Sequence, residues 1–397
     1  MKIQRVSFYN QFHCAINNCP DTCCSGWRIP IDPQTLALYR TQKGSYGLKL
    51  KLSISRKDNI PSLNRTLVGC PFHDKDGLCS LQKEHGEAHM PAICRRYPRN
   101  HKNYGEFAVE TLELSCPETA KIFLKNQKNY SFLTVEEDID YPRSGTNQDY
   151  AFLHFLMDSK AQLLAFLKNS DYALEYLFPQ ILDYGKCIQN QMIIKGGEHP
   201  YGDFQAKDYT DCVKLLKYSH NSSSYPSSNL EEDIASDIAI TCKAINITGS
   251  LMDALMTSGI YHTRLKRTAP FLYELCQLYF NSFDLLTEEA ATKELQILWN
   301  HVIRDIPTLP ETMKRYYGYY LDCCYYEIFE TYSFAKTLTK GFLHVQMLQL
   351  FFSLYYKKYH SLTLEEQARI IAAYEKRGRH NTEIVDAMYA VIYSYCK

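Results

Sequence analysis

Apolar positions in the rear of the chain recur with the helical period, and those in the front do not. From Asp149 onward, Phe152, Phe155, Leu156, Leu163, Leu164 and Leu167 share one face of a 3.6-residue turn. That spacing predicts a helix over 150–169, with the Asp149 side chain placed to cap its first N–H groups. Further helices are predicted at about 171–190, 231–257, 269–282, 287–304, 311–337, 341–358, 363–377 and 382–395. Thr363-Leu-Glu-Glu366 is a capping box, in which two orphan N–H groups are satisfied reciprocally. Two loops interrupt the pattern, one at 196–208 opened by Gly196-Gly197 and a serine-rich one at 220–228. No self-similarity at a solenoid period is present.

The front is mixed. Asp32 followed by Pro33 predicts a short helix to about Arg40. Leu48-Lys-Leu-Lys-Leu-Ser-Ile54 alternates with period two and predicts a half-exposed strand. Phe107 to Leu114 predicts another, after a turn at Asn103-Tyr-Gly105. Ser115-Cys-Pro-Glu118 has capping-box spacing, so a helix is predicted from there to about Asn126. Residues 130–148 are polar, carry Pro142 and Gly145, and read as a connector. The expected fold is mainly α. A small cysteine-rich metal-binding domain with a few short strands (1–126) precedes a large all-helical domain (149–397).

The cysteines sharpen that division. Eight of the fifteen precede residue 117: Cys14, Cys19, Cys23, Cys24, Cys70, Cys79, Cys94 and Cys116. Adjacent Cys23 and Cys24 suit a structural disulfide poorly, because their side chains diverge. A metal centre has no such difficulty. Pro20, Pro71 and Pro117 each follow a cysteine, fix φ there and hold a thiolate on a turn. Cys116 also stands at the mouth of a predicted helix, where N–H groups and the dipole favour its thiolate.

Cys19-x3-Cys23 fits one zinc knuckle, but no second pair in the front has that spacing. His85 and His89, four apart, suit metal ligation or a pair of solvated surface histidines. An iron–sulfur cube is larger and accepts thiolates at irregular spacing. It is the favoured centre, with zinc the alternative. The radical Cys-x3-Cys-x2-Cys signature fails, since position 26 is glycine. Ranked by spacing and flanking residues, the ligands are Cys19, Cys23, Cys94 and Cys116, then Cys24, Cys70 and Cys79, with Cys14 last. Eight thiols exceed the four a cube needs, which leaves room for a second metal. Arg95, Arg96 and Arg99 flank Cys94 and suit a carboxylate, cluster sulfides or pairing with surface acids. Trp27 suits an apolar lid over the metal loop or a stacking surface for a ligand.

Composition adds limits. Formal net charge is zero, which argues against nucleic acid as a whole-chain partner. Through Lys125 the chain carries 18 Lys and Arg against 11 Asp and Glu, a net of +7, so the remainder carries −7. The basic front suits an anionic ligand or offsets thiolate charge. The most apolar stretch, Phe342 to Tyr356, is broken by His344, Gln346, Gln349 and Ser353. It reads as a buried helix and not a membrane span. No signal-peptide pattern opens the chain. A cytoplasmic protein with reduced cysteines and no membrane partner is expected.

Four motifs together carry a resemblance. They are Cys-x4-Cys-x3-Cys-Cys-x2-Trp from Cys14, Cys-Pro-Phe-x5-Leu-Cys from Cys70, Cys-Arg-x-Tyr-Pro-Arg from Cys94 and Leu-Ser-Cys-Pro-Glu from Leu114. Over about residues 8–125 this arrangement resembles the flagellin lysine-N-methylases of motile bacteria. Its front part is similar to the wider zinc- or iron-chelating Cys-x2-Cys-x2-Cys-Cys domain family. The resemblance implies methyl transfer from S-adenosylmethionine to lysine ε-amines of flagellin, by an enzyme holding a [4Fe-4S] cluster. The residues alone also allow a non-catalytic metal-binding scaffold or electron-transfer module with a helical interaction domain.

Methyl transfer needs a neutral amine, whereas free lysine has a pKa of about 10.4. Aromatic walls exclude water and attract a sulfonium charge. The tyrosine-rich stretch Lys314 to Phe329 could supply them, with Tyr316, Tyr320 and Cys323 on one helical face and Tyr319, Asp322 and Tyr326 on another. Tyr316, Tyr320 and Asp322 are the catalytic candidates, and ordinary helix packing is the alternative. No Gly-x-Gly loop occurs, so the donor does not sit on the familiar nucleotide-binding fold. It either meets an open iron of the cluster or lies between the domains.

Overall fold

The computed structural model describes the chain except for residues 16–18, 22, 24–28, 56–58, 65–69, 75–77, 127–129, 139–141, 197–208, 217–265, 267–268, 284–285, 380–385, 387–388 and 390–397. The helices predicted at 231–257 and 382–395, the loop at 220–228, Cys24 and Trp27 lie outside the described residues, apart from Asp386 and Tyr389 in the second of those helices.

Strand β1 (Lys2–Val6) and the short β2 (Ile29–Pro30) lead to α1 (Pro33–Thr41). As the sequence predicts, the Asp32 carboxylate accepts the Thr35 N–H at 2.9 Å, and Pro33 occupies the first turn, where its missing donor costs nothing. The next segment departs from expectation. The alternating Leu48–Ile54 stretch is not a strand: it belongs to α2 (Gly44–Leu52), and only β3 (Ile54–Ser55) is extended. Leucine and lysine are strong helix formers, and no β-branched residue occurs before Ile54. The helix buries Leu50 and leaves Leu48 and Leu52 58% and 71% exposed, so the alternation marks no sheet face. Gly47 lets the turn close, since a Cβ there would stand 2.2 Å from the Gln42 carbonyl oxygen. With β4 (Ser62–Leu63), a small sheet of order β2-β4-β3 forms.

Helices α3 (Ser80–His85) and α4 (Ala92–Arg96) precede strands β5 (Arg99–Asn103) and β6 (Phe107–Leu112), then α5 (Pro117–Lys125). Strand β6 and helix α5 match the sequence reading, but α5 is capped at Cys116 and not Ser115. No capping box forms there. The Ser115 hydroxyl lies 2.9 Å from that of Tyr97 instead. The expected connector at 130–148 contains an edge strand, β7 (Phe132–Glu136). The main sheet runs β5-β6-β1-β7, with β1 parallel to β6 and antiparallel to β7.

Among the described residues the rear is helical, as expected. It comprises α6 (Tyr150–Asn169), α7 (Leu174–Gly196), α8 (Thr210–Lys214), α9 (Pro270–Phe283), α10 (Glu288–Asp305), α11 (Leu309–Cys324), α12 (Phe334–Tyr359) and α13 (Leu364–Tyr374). Asp149 caps α6 through the Phe152 N–H at 3.0 Å, and the Thr363–Glu366 box forms with both of its bonds. The helix expected over 311–337 breaks after Cys324 into a 3-10 turn and one α-turn, and Tyr332 at φ 54° ends it. After α13 the backbone widens into a π-helical turn, Glu375–Arg379.

One apolar core crosses the boundary expected at residue 126. Val6, Phe8, Leu112 and Phe123 pack in the same cluster as Leu156, Tyr319 and Phe351. The sheet must cover its apolar face, and the rear helices do so. A separate small cluster of Ile29, Tyr39, Leu50, Leu63 and Phe72 lies within the cysteine-bearing segment. The expectation that every cysteine is reduced also gives way: Cys187 of α7 and Cys212 of α8 form a disulfide, with Cα atoms 5.6 Å apart. Compartment chemistry alone says nothing about which thiols packing brings together. Among the described residues no helix is long and apolar enough to cross a membrane.

Candidate functional site

Six of the eight front cysteines line one cavity of about 570 Å³: Cys14, Cys19, Cys23, Cys79, Cys94 and Cys116. The first three come from the loop between β1 and β2. Cys79 is delivered by a tight loop in which Asp74 accepts the Leu78 N–H at 2.9 Å and the Ser80 N–H reaches the Phe72 carbonyl at 2.8 Å. Cys94 sits within α4, and Cys116 caps α5. Cys70 does not line the cavity; it is 5% exposed and packs in the small apolar cluster. Cys14, ranked last from sequence, does line it. Spacing could not order these two, because it carries no information on which turns face one another.

The electrostatics are those of crowded thiols, of which Cys116 is buried, Cys19, Cys23, Cys79 and Cys94 are half-buried and Cys14 is exposed. Burial pushes Cys94 well above the ordinary thiol value, Cys23 and Cys79 act the same way, and Arg95 opposes them. Burial pushes Cys116 up to about 12, against the opposing hydrogen bonds of Thr119 and Glu118 at the start of α5. The helix mouth therefore acts on Cys116 as the sequence predicts, but burial outweighs it. Cys19 is raised by burial and opposed by the Asp21 backbone. Thiols in this state ionise when a cationic centre binds them. Among the described residues, no three His, Cys, Asp or Glu side chains are gathered into a ready coordination sphere. The cavity lining offers thiols of the kind, and in the number, that a sulfur-ligated group takes, although they are spread over the wall and not gathered at one point.

Arg95 and Arg99 line this cavity, and Arg96 does not. Arg95 donates to the carbonyls of Met90 at 2.8 Å and Ala88 at 3.3 Å. Arg99 donates to the Phe12 carbonyl at 3.3 Å and lies over the Phe12 ring, 5.1 Å from its centroid. Arg96 is exposed, 3.4 Å from the His101 ring. His85 and His89 form an aromatic cluster: Tyr46 stacks on His85 at 3.7 Å, and its hydroxyl lies 2.9 Å from His89 Nδ1. Lys376, from the turn after α13, completes the rim beside Asp21.

The tyrosine-rich helix α11 splits its candidates. Tyr316 is buried and donates to Glu375, and Tyr320 packs on His344 with centroids 5.3 Å apart. Both serve the helical core, and neither lines a described cavity. Asp322 does. It faces a second cavity of about 520 Å³ between β1, β7, α6 and α11, together with Tyr326 from the same helical face. Its Oδ1 accepts from Lys160 Nζ at 3.0 Å, and its Oδ2 accepts the Tyr130 hydroxyl at 3.0 Å. Lys160 Nζ lies 4.5 Å from the Tyr326 centroid and 5.5 Å from that of Phe132. Burial pulls the Lys160 ammonium down, but Asp322 and Tyr326 outweigh it and hold it above the ordinary lysine value. Burial likewise raises the Asp322 carboxyl, against Lys160 and Tyr130. Sequence reading missed Lys160 and Tyr130, which lie on other elements with no spacing relation to Asp322. The two cavities have no described lining residue in common.

No protein-family profile and no solved structure matches the chain. Three curated proteins are similar to it. The lysine-N-methylase of Salmonella typhimurium is 32% identical over 132 residues, 31% of this chain and 33% of its own length. That of Salmonella choleraesuis is 32% identical over 132 residues, with the same coverage. The flagellar biosynthetic protein FliU of Salmonella muenchen is 30% identical over 136 residues, 31% of this chain and 78% of its own length. The matched segment thus spans about a third of each lysine-N-methylase and most of FliU. With its four cysteine motifs, that similarity places the chain in the flagellin lysine-N-methylase family.

Proposed function

We propose that this chain is a protein-lysine N-methyltransferase that takes its methyl group from S-adenosylmethionine, acts on flagellin in the cytoplasm and holds a [4Fe-4S] cluster. The observation that carries the reading is that six thiols, drawn from the motifs on which the family likeness rests, line a single cavity. The names of the similar proteins support lysine as the acceptor and a flagellar substrate.

Cys19, Cys23, Cys94 and Cys116 would hold the cluster, with Cys79 and Cys14 on the same wall as alternates. Bound there, the cluster supplies a thiolate-ligated iron centre. Arg95 and Arg99 offset the negative charge of the thiolates and help exclude water with the Phe12 and Tyr97 rings beside them. The acceptor ε-amine must reach the methyl group without its proton and in line with the breaking bond. Of the three catalytic candidates, Asp322 is the one that lines a described cavity, so it is the one assigned to positioning or deprotonation.

The test is purification without oxygen, followed by visible absorption, iron and sulfide analysis and transfer of labelled methyl from S-adenosylmethionine to flagellin. Brown protein that labels flagellin lysines is the expected result. A colourless protein with one zinc and no sulfide would overturn the cluster, and absence of label with intact cluster would overturn the activity.

A further inference from the structure

The cavity beside Asp322 is unexplained by the thiol site. Its volume of about 520 Å³ falls in the range of small-molecule pockets, roughly 300–1,000 Å³. It lies between the strands of the front sheet and the helices of the rear. Its wall carries a buried ion pair, Lys160 and Asp322, 6% and 3% exposed. A buried pair adds little stability over apolar residues of the same size, so its presence on a cavity wall calls for another reason. Beside the pair stand the rings of Tyr130, Phe132 and Tyr326.

Such a wall selects for a ligand with both signs of charge next to flat apolar surface. A carboxylate fits the spare N–H of Lys160, and an amino group fits the remaining lone pairs of Asp322. A cation is attracted to the ring faces, which already hold the Lys160 ammonium in this way. We propose that this cavity, and not the thiol-lined one, takes the methyl donor, an amino-acid-bearing sulfonium nucleoside, with its zwitterion on Lys160 and Asp322 and its sulfonium against the Tyr326 and Phe132 rings. This rests on the methyltransferase reading above and gives the donor a place in it. The thiol centre is then spared direct contact with the donor.

The experiment measures calorimetric binding of S-adenosylmethionine, without flagellin, to the full chain with its metal centre intact. Ala161 on α6 and Thr134 on β7 both line the cavity and are exposed, so a bulky side chain at either fills it from the rim. Ala161→Trp and Thr134→Trp are expected to weaken binding by about tenfold or more, with iron content and visible spectrum unchanged. Two independent variants guard against one that folds poorly. Unaltered binding in both, with the wild type binding, would overturn this cavity as the donor site and leave the methyltransferase reading standing. No binding by the wild type would overturn that reading, and this proposal with it.

Discussion

Lys376 Nζ stands 2.9 Å from the Asp21 carboxylate, joining positions 355 residues apart. Asp21 lies in the loop between Cys19 and Cys23, and Lys376 lies on the turn that follows the last long helix described. The helical rear therefore holds the loop that delivers two of the candidate ligands. Lys376→Ala should lower global stability by less than about 1 kcal/mol, because the Asp21 side chain is 36% exposed. Its effect on the loop is expected to be larger. Visible absorption of the anaerobically purified protein should bleach faster in air than in the wild type, and an unchanged rate would show that other contacts hold the loop.

A second long-range tie is largely interior, with the Arg379 and Glu113 side chains 11% and 16% exposed. Arg379 donates to Glu113 at 2.8 Å, pairs with Glu375 and lies 3.4 Å from Cys324 Sγ, while Tyr316 donates to Glu375. Arg379→Met leaves Glu375 buried without its cation and should cost about 3–5 kcal/mol in urea denaturation. Adding Glu375→Leu should restore part of that loss, since the uncompensated charge is then gone. Tyr316→Phe removes one hydrogen bond and should cost nearer 1 kcal/mol.

Asp32 clamps the small cysteine-bearing unit. Its carboxylate accepts the N–H and hydroxyl of Thr35 at 2.9 and 2.8 Å, and the Ala92 N–H at 2.7 Å, at the start of the helix that carries Cys94. Burial raises this carboxyl, but the bonds from Ala92 and Thr35 outweigh it and hold it below the ordinary aspartate value. A carboxyl lowered on folding stabilises above its unfolded pKa, and that contribution disappears as pH falls through the folded one. Asp32→Asn should therefore cost about 1–2 kcal/mol at neutral pH. The gap to wild type should close as pH falls below about 4, read from thermal melts. A gap independent of pH would mean that Asp32 acts by shape and not by charge.

The placement of Cys70 and Cys94 separates packing from ligation. Cys94→Ser should abolish the visible absorption of the cluster and reduce bound iron. Cys70→Ser should keep both, and lose about 1–2 kcal/mol of stability because a hydroxyl replaces a thiol in the small apolar cluster. Equal loss of iron in the two variants would place Cys70 among the ligands after all.

Much of this molecule is written in short-range signals. The Asp149 and Thr363 caps, the apolar stripe of α6 and the crowding of eight cysteines before residue 117 act within a few positions of themselves, and the structure keeps them. Where period alone was read, it misled: Leu48–Ile54 alternates yet is mostly helical, because leucine and lysine favour a helix and the exposed leucines face no sheet. Strand β7 pairs antiparallel with β1, and no local pattern in 132–136 names that partner. The same holds for the sites. Sequence alone determined that thiols would dominate the front, that the rear would be helical and that Asp322 and Tyr326 would share a face. Only the tertiary structure decided that Cys14 joins the cavity and Cys70 does not, that Lys160 meets Asp322, and that Lys376 reaches Asp21. Helix propensity and capping are settled by neighbours along the chain, whereas a cavity wall is assembled by apolar burial between distant segments, which spacing does not encode.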